Sequence, residues 1–370
     1  MKFFSTKVAT DEVFCDRISE RKVLRRCISN NEHCVVIAPR RYGKTSLVMQ
    51  AIAESGVASG SVDLFCVVYE EEIIRKIAQG VSQIAQRIMS RTDKTLSFLE
   101  GVFRSAKIGI QAGSVDISVQ FSRKKATAEH VEDLLQGLEK IAAKAEKSVV
   151  LFIDEFQDIL KVEKSSSIQA AIRSIAQHSK YVTYIFSGSS RVMLEKIFDD
   201  SSQPLYMMCH KMTLSRIDPA DFAEHIQNAA KTTWHSSLPN HIVEHIVRLT
   251  ECHTYYVNAL CVEVMSLESP PTPTEIDTLW DALLFQHKGK IVSELEKLSS
   301  NRIKVLANVA LMGEVCAPNS RDFLQEVQMS LSSTQASIQY LLDNDYLFET
   351  ENGGLKLVDP LMRLFLTNRY

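Results

Sequence analysis

The chain has 370 residues, a length that suits two or three domains. Its 45% hydrophobic and 24% charged residues are the balance of a soluble globular protein, and a net charge of −3 gives no general electrostatic reason to bind nucleic acid. Eight cysteines lie without C-x-x-C spacing, several (Cys34, Cys66, Cys261) in apolar runs where a thiol behaves as a small buried hydrophobe. This argues against zinc and fits a reducing, cytoplasmic setting. No apolar run reaches the length of a membrane span, Met1–Thr10 lacks a signal-peptide core, and no repeat or low-complexity tract is present.

Phe14-Cys15-Asp16-Arg17-Ile18-Ser19-Glu20 leads into a helix through Leu24 and Ile28, with Asp16 or Ser19 as its cap. Cys34–Ile37 is a short apolar run, as expected of a buried parallel strand. Ala38-Pro39-Arg40-Arg41-Tyr42-Gly43-Lys44-Thr45 follows, and Ser46–Ala53 reads as a helix. A loop between a strand and a helix N-terminus aims several backbone N–H groups at one spot, where the helix dipole also favours negative charge. Gly43 lets the backbone approach a phosphate, Lys44 reaches its oxygens, and Thr45 offers a hydroxyl to Mg²⁺. Ala38 stands where the first glycine of this pattern usually sits, and its methyl group is the smallest possible intrusion. Ala38 through Ser46 are therefore the candidate phosphate contacts.

Ser61–Val68 is expected to be a second strand, with Asp63 near its middle. Glu70–Met89 carries a helical period of apolar residues. Lys107–Phe121 alternates around Gln111-Ala112-Gly113-Ser114, which predicts an inserted β-hairpin, and Arg123-Lys124-Lys125 reads as a solvated turn. Thr127–Lys147 is helical. Val149–Ile153 is a continuous apolar strand ending in Asp154-Glu155. Two carboxylates at a strand's carboxyl end are costly unless they meet a cation or water. Asp154 is the candidate Mg²⁺ ligand with Thr45, and Glu155 the candidate general base. Tyr181–Phe186 is another strand, followed by Ser187-Gly188-Ser189-Ser190-Arg191. Ser187 and Ser189 are candidates to orient a water, although a plain turn fits equally; Arg191 is a candidate γ-phosphate sensor or a mere cap. Strands alternating with helices imply a parallel sheet covered on both faces.

From Pro219 the pattern is helical, with Pro270-Pro271-Thr272-Pro273 as the clearest linker. Ile303–Met312, Arg321–Val327 and Leu331–Asp343, the last capped by Ser332 or Ser333, make three helices. A hairpin through Glu351-Asn352-Gly353-Gly354 completes a winged helix. No Lys or Arg lies between Ser330 and Asp343, so its third helix is poorly equipped for phosphate contacts. It reads as a protein-contact or regulatory lid.

APRRYGKT (Ala38–Thr45), VVLFIDEFQDI (Val149–Ile159), YIFSGSS (Tyr184–Ser190) and the terminal LLDNDYLF…LKLVDPLMRLFL segment together resemble the archaeal-type ATPases of the AAA+-like STAND class, over nearly the whole chain. The resemblance implies an α/β fold: a P-loop NTPase sheet of AAA+/RecA-like type at 1–218 with the hairpin insertion near 107–121, a helical lid at 219–298 and a winged helix at 299–370. It implies ATP or ADP with Mg²⁺, and no GTP-type N/T-K-x-D motif is apparent. Phe14, Arg17 and Glu20 match the family's F-x-x-R-x-x-E element near the adenine. Two departures stand out: the lid's G-x-P turn is Cys252-His253-Thr254, and the arginine of P-L-Y-G-R is missing from Pro204-Leu205-Tyr206-Met207-Met208. Arg191 or Arg216 is a possible substitute. Binding should survive these losses while hydrolysis slows. The expected protein is an ATPase that switches conformation, acting on a protein partner or a second copy through lid and winged helix. A nucleotide-gated interaction module with little turnover is the alternative. A DNA-binding ATPase similar to replication-initiation ATPases is disfavoured.

Overall fold

The computed structural model describes residues 3–89, 106–111, 114–119, 127–350 and 352–368. They fall into two compact units, one of Arg17–Ala38 and Lys44–Leu214, the other of Met1–Asp16, Pro39–Gly43 and Ser215–Tyr370.

The first unit holds strands β1 (Cys34–Ile37), β2 (Ala58–Asp63), β3 (Ala106–Gln111), β4 (Ser114–Val119), β5 (Val149–Asp154), β6 (Val182–Gly188) and β7 (His210–Thr213). Five of them form one sheet in the order β2-β5-β6-β1-β7, and every pairing in it is parallel. The three central strands are the near-continuous apolar runs that a sheet covered on both faces demands. Helices Lys44–Ser55, Glu70–Ile88, Thr127–Ala145 and Ser165–Ala176 supply the cover, and an apolar core runs from Val35 to Leu205. This is the P-loop NTPase sheet that the sequence implies. β3 and β4 pair as the expected antiparallel hairpin; Ala112, Gly113, Gln120, Phe121 and Arg123-Lys124-Lys125 lie outside the described residues.

Two strands differ from expectation. β2 begins at Ala58 and stops at Asp63, five residues short of the expected end at Val68. Its first residues, Ala58-Ser59-Gly60, are too small to show an apolar pattern. Beyond Asp63 the backbone donors turn to carboxylates: Phe65 N–H to Asp63 at 2.8 Å, Cys66 N–H to Asp158 at 2.8 Å. Asp63 is thus an exposed strand end, and Cys66 is exposed where burial was expected, while Cys34 and Cys261 are buried. β7 was not anticipated: His-Lys-Met-Thr buries only Met212, as an edge strand can.

The second unit contains helices Pro219–Trp234, Asn240–Thr250, Thr254–Val264, Pro273–Glu296, Ser300–Met312, Arg321–Val327, Leu331–Asp343 and Pro360–Thr367, with the hairpin β8 (Leu347–Glu349) and β9 (Leu355–Leu357). One apolar core joins Phe4 to residues from Ile217 to Leu366. The helix-rich part and the three-helix winged module therefore share their interior. The Pro270–Pro273 stretch is a helix start: the Thr272 hydroxyl accepts from Glu275 N–H, the Glu275 carboxylate accepts from Thr272 N–H at 2.7 Å, and Pro273 occupies the first turn. Capping also differs elsewhere. Ser330, ahead of Ser332 and Ser333, caps the third winged-module helix. Arg17, in the left-handed region at φ 58°, precedes helix Ile18–Asn30 in place of Asp16 or Ser19. Among the described residues, no helix is long and apolar enough to cross a membrane.

Candidate active site

Parallel pairing sets the site. Ile37 of β1 stands beside Gly188 of β6, and Ile153 of β5 beside Phe186. The carboxyl ends of these strands therefore bring the residues after β1, after β5 and at the end of β6 to one edge of the sheet. Behind that edge, Phe156 is fully buried, its ring 4.5 Å from Phe186 and 5.8 Å from Phe198. Such aromatic packing is worth about 1 kcal/mol beyond the area buried and anchors the chain just after Glu155.

Ala38 is 2% exposed, so its methyl is taken up by the interior of the unit. Its carbonyl accepts from Lys44 Nζ at 2.9 Å, and Lys44 is itself 5% exposed. Lys44 opens helix Lys44–Ser55, so the N–H groups of Lys44, Thr45 and Ser46 belong to the first turn, which has no intrahelical acceptors. Gly43 has φ +85°, a conformation that disfavours any side chain. The Thr45 hydroxyl donates to Asp154 Oδ2 at 2.6 Å. The other Asp154 oxygen accepts from the buried Ser187 hydroxyl and from Glu155 N–H. Glu155 sits in the left-handed region at φ 50°, a strained choice for a glutamate, and its Oε2 accepts from Ser189 Oγ at 2.8 Å and Gln157 Nε2 at 2.5 Å. Thr45, Asp154, Glu155, Ser187 and Ser189 are thus joined by hydrogen bonds in one polar edge, and Lys44 precedes Thr45 with its ammonium on the Ala38 carbonyl.

Other expected residues lie apart from that hydrogen-bonded set. Arg191 opens helix Arg191–Phe198, is exposed, and donates to Glu195 at 2.9 Å. Arg17 is buried and pairs with Glu20 at 2.9 Å. Burial acts to raise the Glu20 carboxyl, but hydrogen bonds from Arg17, its own backbone and Ser19 hold it below the usual glutamate range. Phe14 is half-buried at the end of a single helical turn, Asp11–Val13.

Pro39–Gly43 pack within the second unit. Arg40 is exposed, and the exposed Arg41 guanidinium lies 4.1 Å from the Tyr255 ring centroid. Tyr42 is buried, its ring 5.2 Å from that of His253, and its hydroxyl accepts from Arg216 Nε at 3.3 Å. His253, where the family places its lid turn, is pushed down to about 3 by burial and then by the charges of Arg216 and Arg41. Lys290, which no motif marked, is held below the usual lysine range by burial and the Arg41 charge, with Arg40 adding to it. Gln157 and Arg216's other contacts were also missed, because a lone amide or arginine carries no spacing signal.

A glycine-containing strand-to-helix loop, an acidic strand end, and a helical and winged part define a P-loop NTPase of AAA+-like build. The family model described as an ATPase domain predominantly from Archaea matches residues 14–260, and the chain belongs to that family. A probable winged helix domain matches residues 292–368. Among solved structures, the Walker-type ATPase of Pyrococcus abyssi is similar at TM-score 0.71 with 18% identity, covering 99% of each chain. The ORC2 protein of Aeropyrum pernix, solved as ADPNP-ADP complexes, is similar at TM-score 0.58 with 12% identity, covering 97% of this chain and 95% of that one. These identities speak for the fold. No curated protein sequence matches.

Proposed function

We propose that this protein binds ATP with Mg²⁺ and hydrolyses it, slowly, as a switch of the AAA+/STAND kind. The observation that carries the reading most is the 2.6 Å contact between Thr45 and Asp154, at the first turn of the helix that Lys44 opens. A hydroxyl and a carboxylate are hard oxygen donors of the kind Mg²⁺ takes, and Mg²⁺ needs only one or two protein oxygens when phosphates supply the rest. Bound there, the ion would neutralise phosphate charge. The chain's own residues do the remainder. Lys44 leaves the Ala38 carbonyl for phosphate oxygens, the helix N–H groups cradle them, and Pro39–Gly43 follow the loop. Glu155, held through Oε2 by Ser189 and Gln157, turns Oε1 to a water and takes its proton. Phe14 and Arg17 are assigned to the base.

The switching part rests on the second unit. Tyr42 of the loop touches Arg216, which also donates to carbonyls at the end of β9, so loop and winged module share one buried cluster. We read 1–218 as the ATPase portion, 219–298 as lid and 299–370 as winged helix, with a protein partner or a second copy as what the switch addresses. The interaction-module reading, with turnover incidental, keeps its support from Met207 and Met208, where the family's arginine is missing. Turnover measured on wild type and Glu155→Gln tests the proposal. Glu155→Gln should bind ATP and lose hydrolysis; hydrolysis at the wild-type rate removes Glu155 as the base.

A further inference from the structure

Gln157 lies two residues beyond Glu155, in the short helical turn Phe156–Lys161, and is 4% exposed. Its Nε2 donates to Glu155 Oε2 at 2.5 Å, the same oxygen that takes the Ser189 hydroxyl at 2.8 Å. Chemistry fixes which end of the amide faces the glutamate, since an ionised carboxylate only accepts. The amide's other end, Oε1, is buried with no hydrogen-bond partner. It rests against Gly188, where a Cβ would come within 1.9 Å of it. Residue 188 must therefore lack a side chain for the amide to keep its place, and the amide forgoes half of its hydrogen bonding there. Buried polar groups are seldom left so, because the loss weakens the fold. A stability role would favour an apolar residue of the same shape.

We propose that Gln157 is a positioning residue for hydrolysis. It pins Glu155 Oε2 between itself and Ser189, so that the carboxylate cannot rotate and Oε1 remains the oxygen presented to water. The left-handed backbone of Glu155 gives that clamp its purpose, since a strained residue relaxes unless its surroundings hold it. The inference rests on Glu155 being the base.

The test uses the full chain and ATP with Mg²⁺, and compares wild type, Glu155→Gln, Gln157→Met and the double variant. Gln157→Met keeps the length and removes the donor. ATP affinity and KM should stay within about twofold, while kcat falls by about tenfold or more, as loss of alignment predicts. Its thermal midpoint should not drop, and in the Glu155→Gln background it should cost nothing further, because both substitutions break one unit. A Gln157→Met kcat within twofold of wild type overturns the proposal. So does a loss that multiplies with that of Glu155→Gln, or one that tracks a lower midpoint or a raised KM. Undiminished turnover in Glu155→Gln would defeat the base assignment first, and the clamp with it, whatever Gln157→Met does.

Discussion

The edge formed by β1, β5 and β6 and the cluster around Arg216 are both partly buried polar assemblies, built in opposite ways. At the sheet edge, short stretches of sequence at or after the strand ends deliver the groups together: Lys44 with Thr45, Asp154 with Glu155, Ser187 with Ser189. Around Arg216 one side chain gathers distant groups. Its Nη1 donates to the Glu251 carbonyl at 2.7 Å and carboxylate at 2.9 Å, and its Nη2 to the carbonyls of Leu357 at 3.3 Å and Val358 at 3.0 Å. The guanidinium also lies 4.8 Å from the Phe348 ring. Chemistry on a phosphate demands fixed residue types at fixed spacing. A clamp needs one planar fork and some acceptors, and any residue offers a carbonyl.

The sharpest contrast is expected at Glu155. Glu155→Gln should reduce kcat by about a hundredfold or more, the usual contribution of a general base, with the thermal midpoint unchanged. Arg216→Ala should do the reverse. It leaves the Glu251 carboxylate with Arg363 alone, at 2.6 Å, and takes the side-chain donor from the Leu357 and Val358 carbonyls, a loss of about 2 kcal/mol, read as a midpoint lower by several degrees. Arg216→Lys should recover little, because an ammonium cannot serve that fork; full recovery would make the cluster a matter of charge alone.

His253 gives an effect of intermediate size with a defined sign. Its imidazole is pushed down to about 3 in the folded protein, against an ordinary value near 6.5. Below pH 6.5 the unfolded chain takes up a proton that the folded chain refuses, so stability is lost on acidification through that window, by about 2 kcal/mol at pH 5. Melting of His253→Gln should therefore change less between pH 7 and pH 5 than wild type does; equal slopes would mean the ring is not held neutral. Arg191→Ala should matter least. The side chain is 65% exposed and paired with Glu195, so stability should shift by less than about 0.5 kcal/mol and turnover by less than twofold. A larger loss of turnover would show that Arg191 swings onto the γ-phosphate.

Much of the architecture was legible because buried parallel strands and amphipathic helices leave strong periodic signals. β5 and β6 could be read from their apolar runs, and helix Glu70–Ile88 from its period. β7 could not, since an edge strand needs one buried residue and little else. Pro270–Pro273 looked like a linker because proline suits both a loop and a first helical turn. Within the site, residues joined to a backbone motif were legible. Gln157 was not, because its meaning lies in a glycine thirty-one positions later, at the end of β6.

The central claim is that a triphosphate rests on the turn at Lys44, and equilibrium ATP titration of Lys44→Ala tests it most directly. The affinity should fall by about a hundredfold or more while the protein melts as the wild type does. An unchanged dissociation constant in a folded Lys44→Ala protein would contradict it.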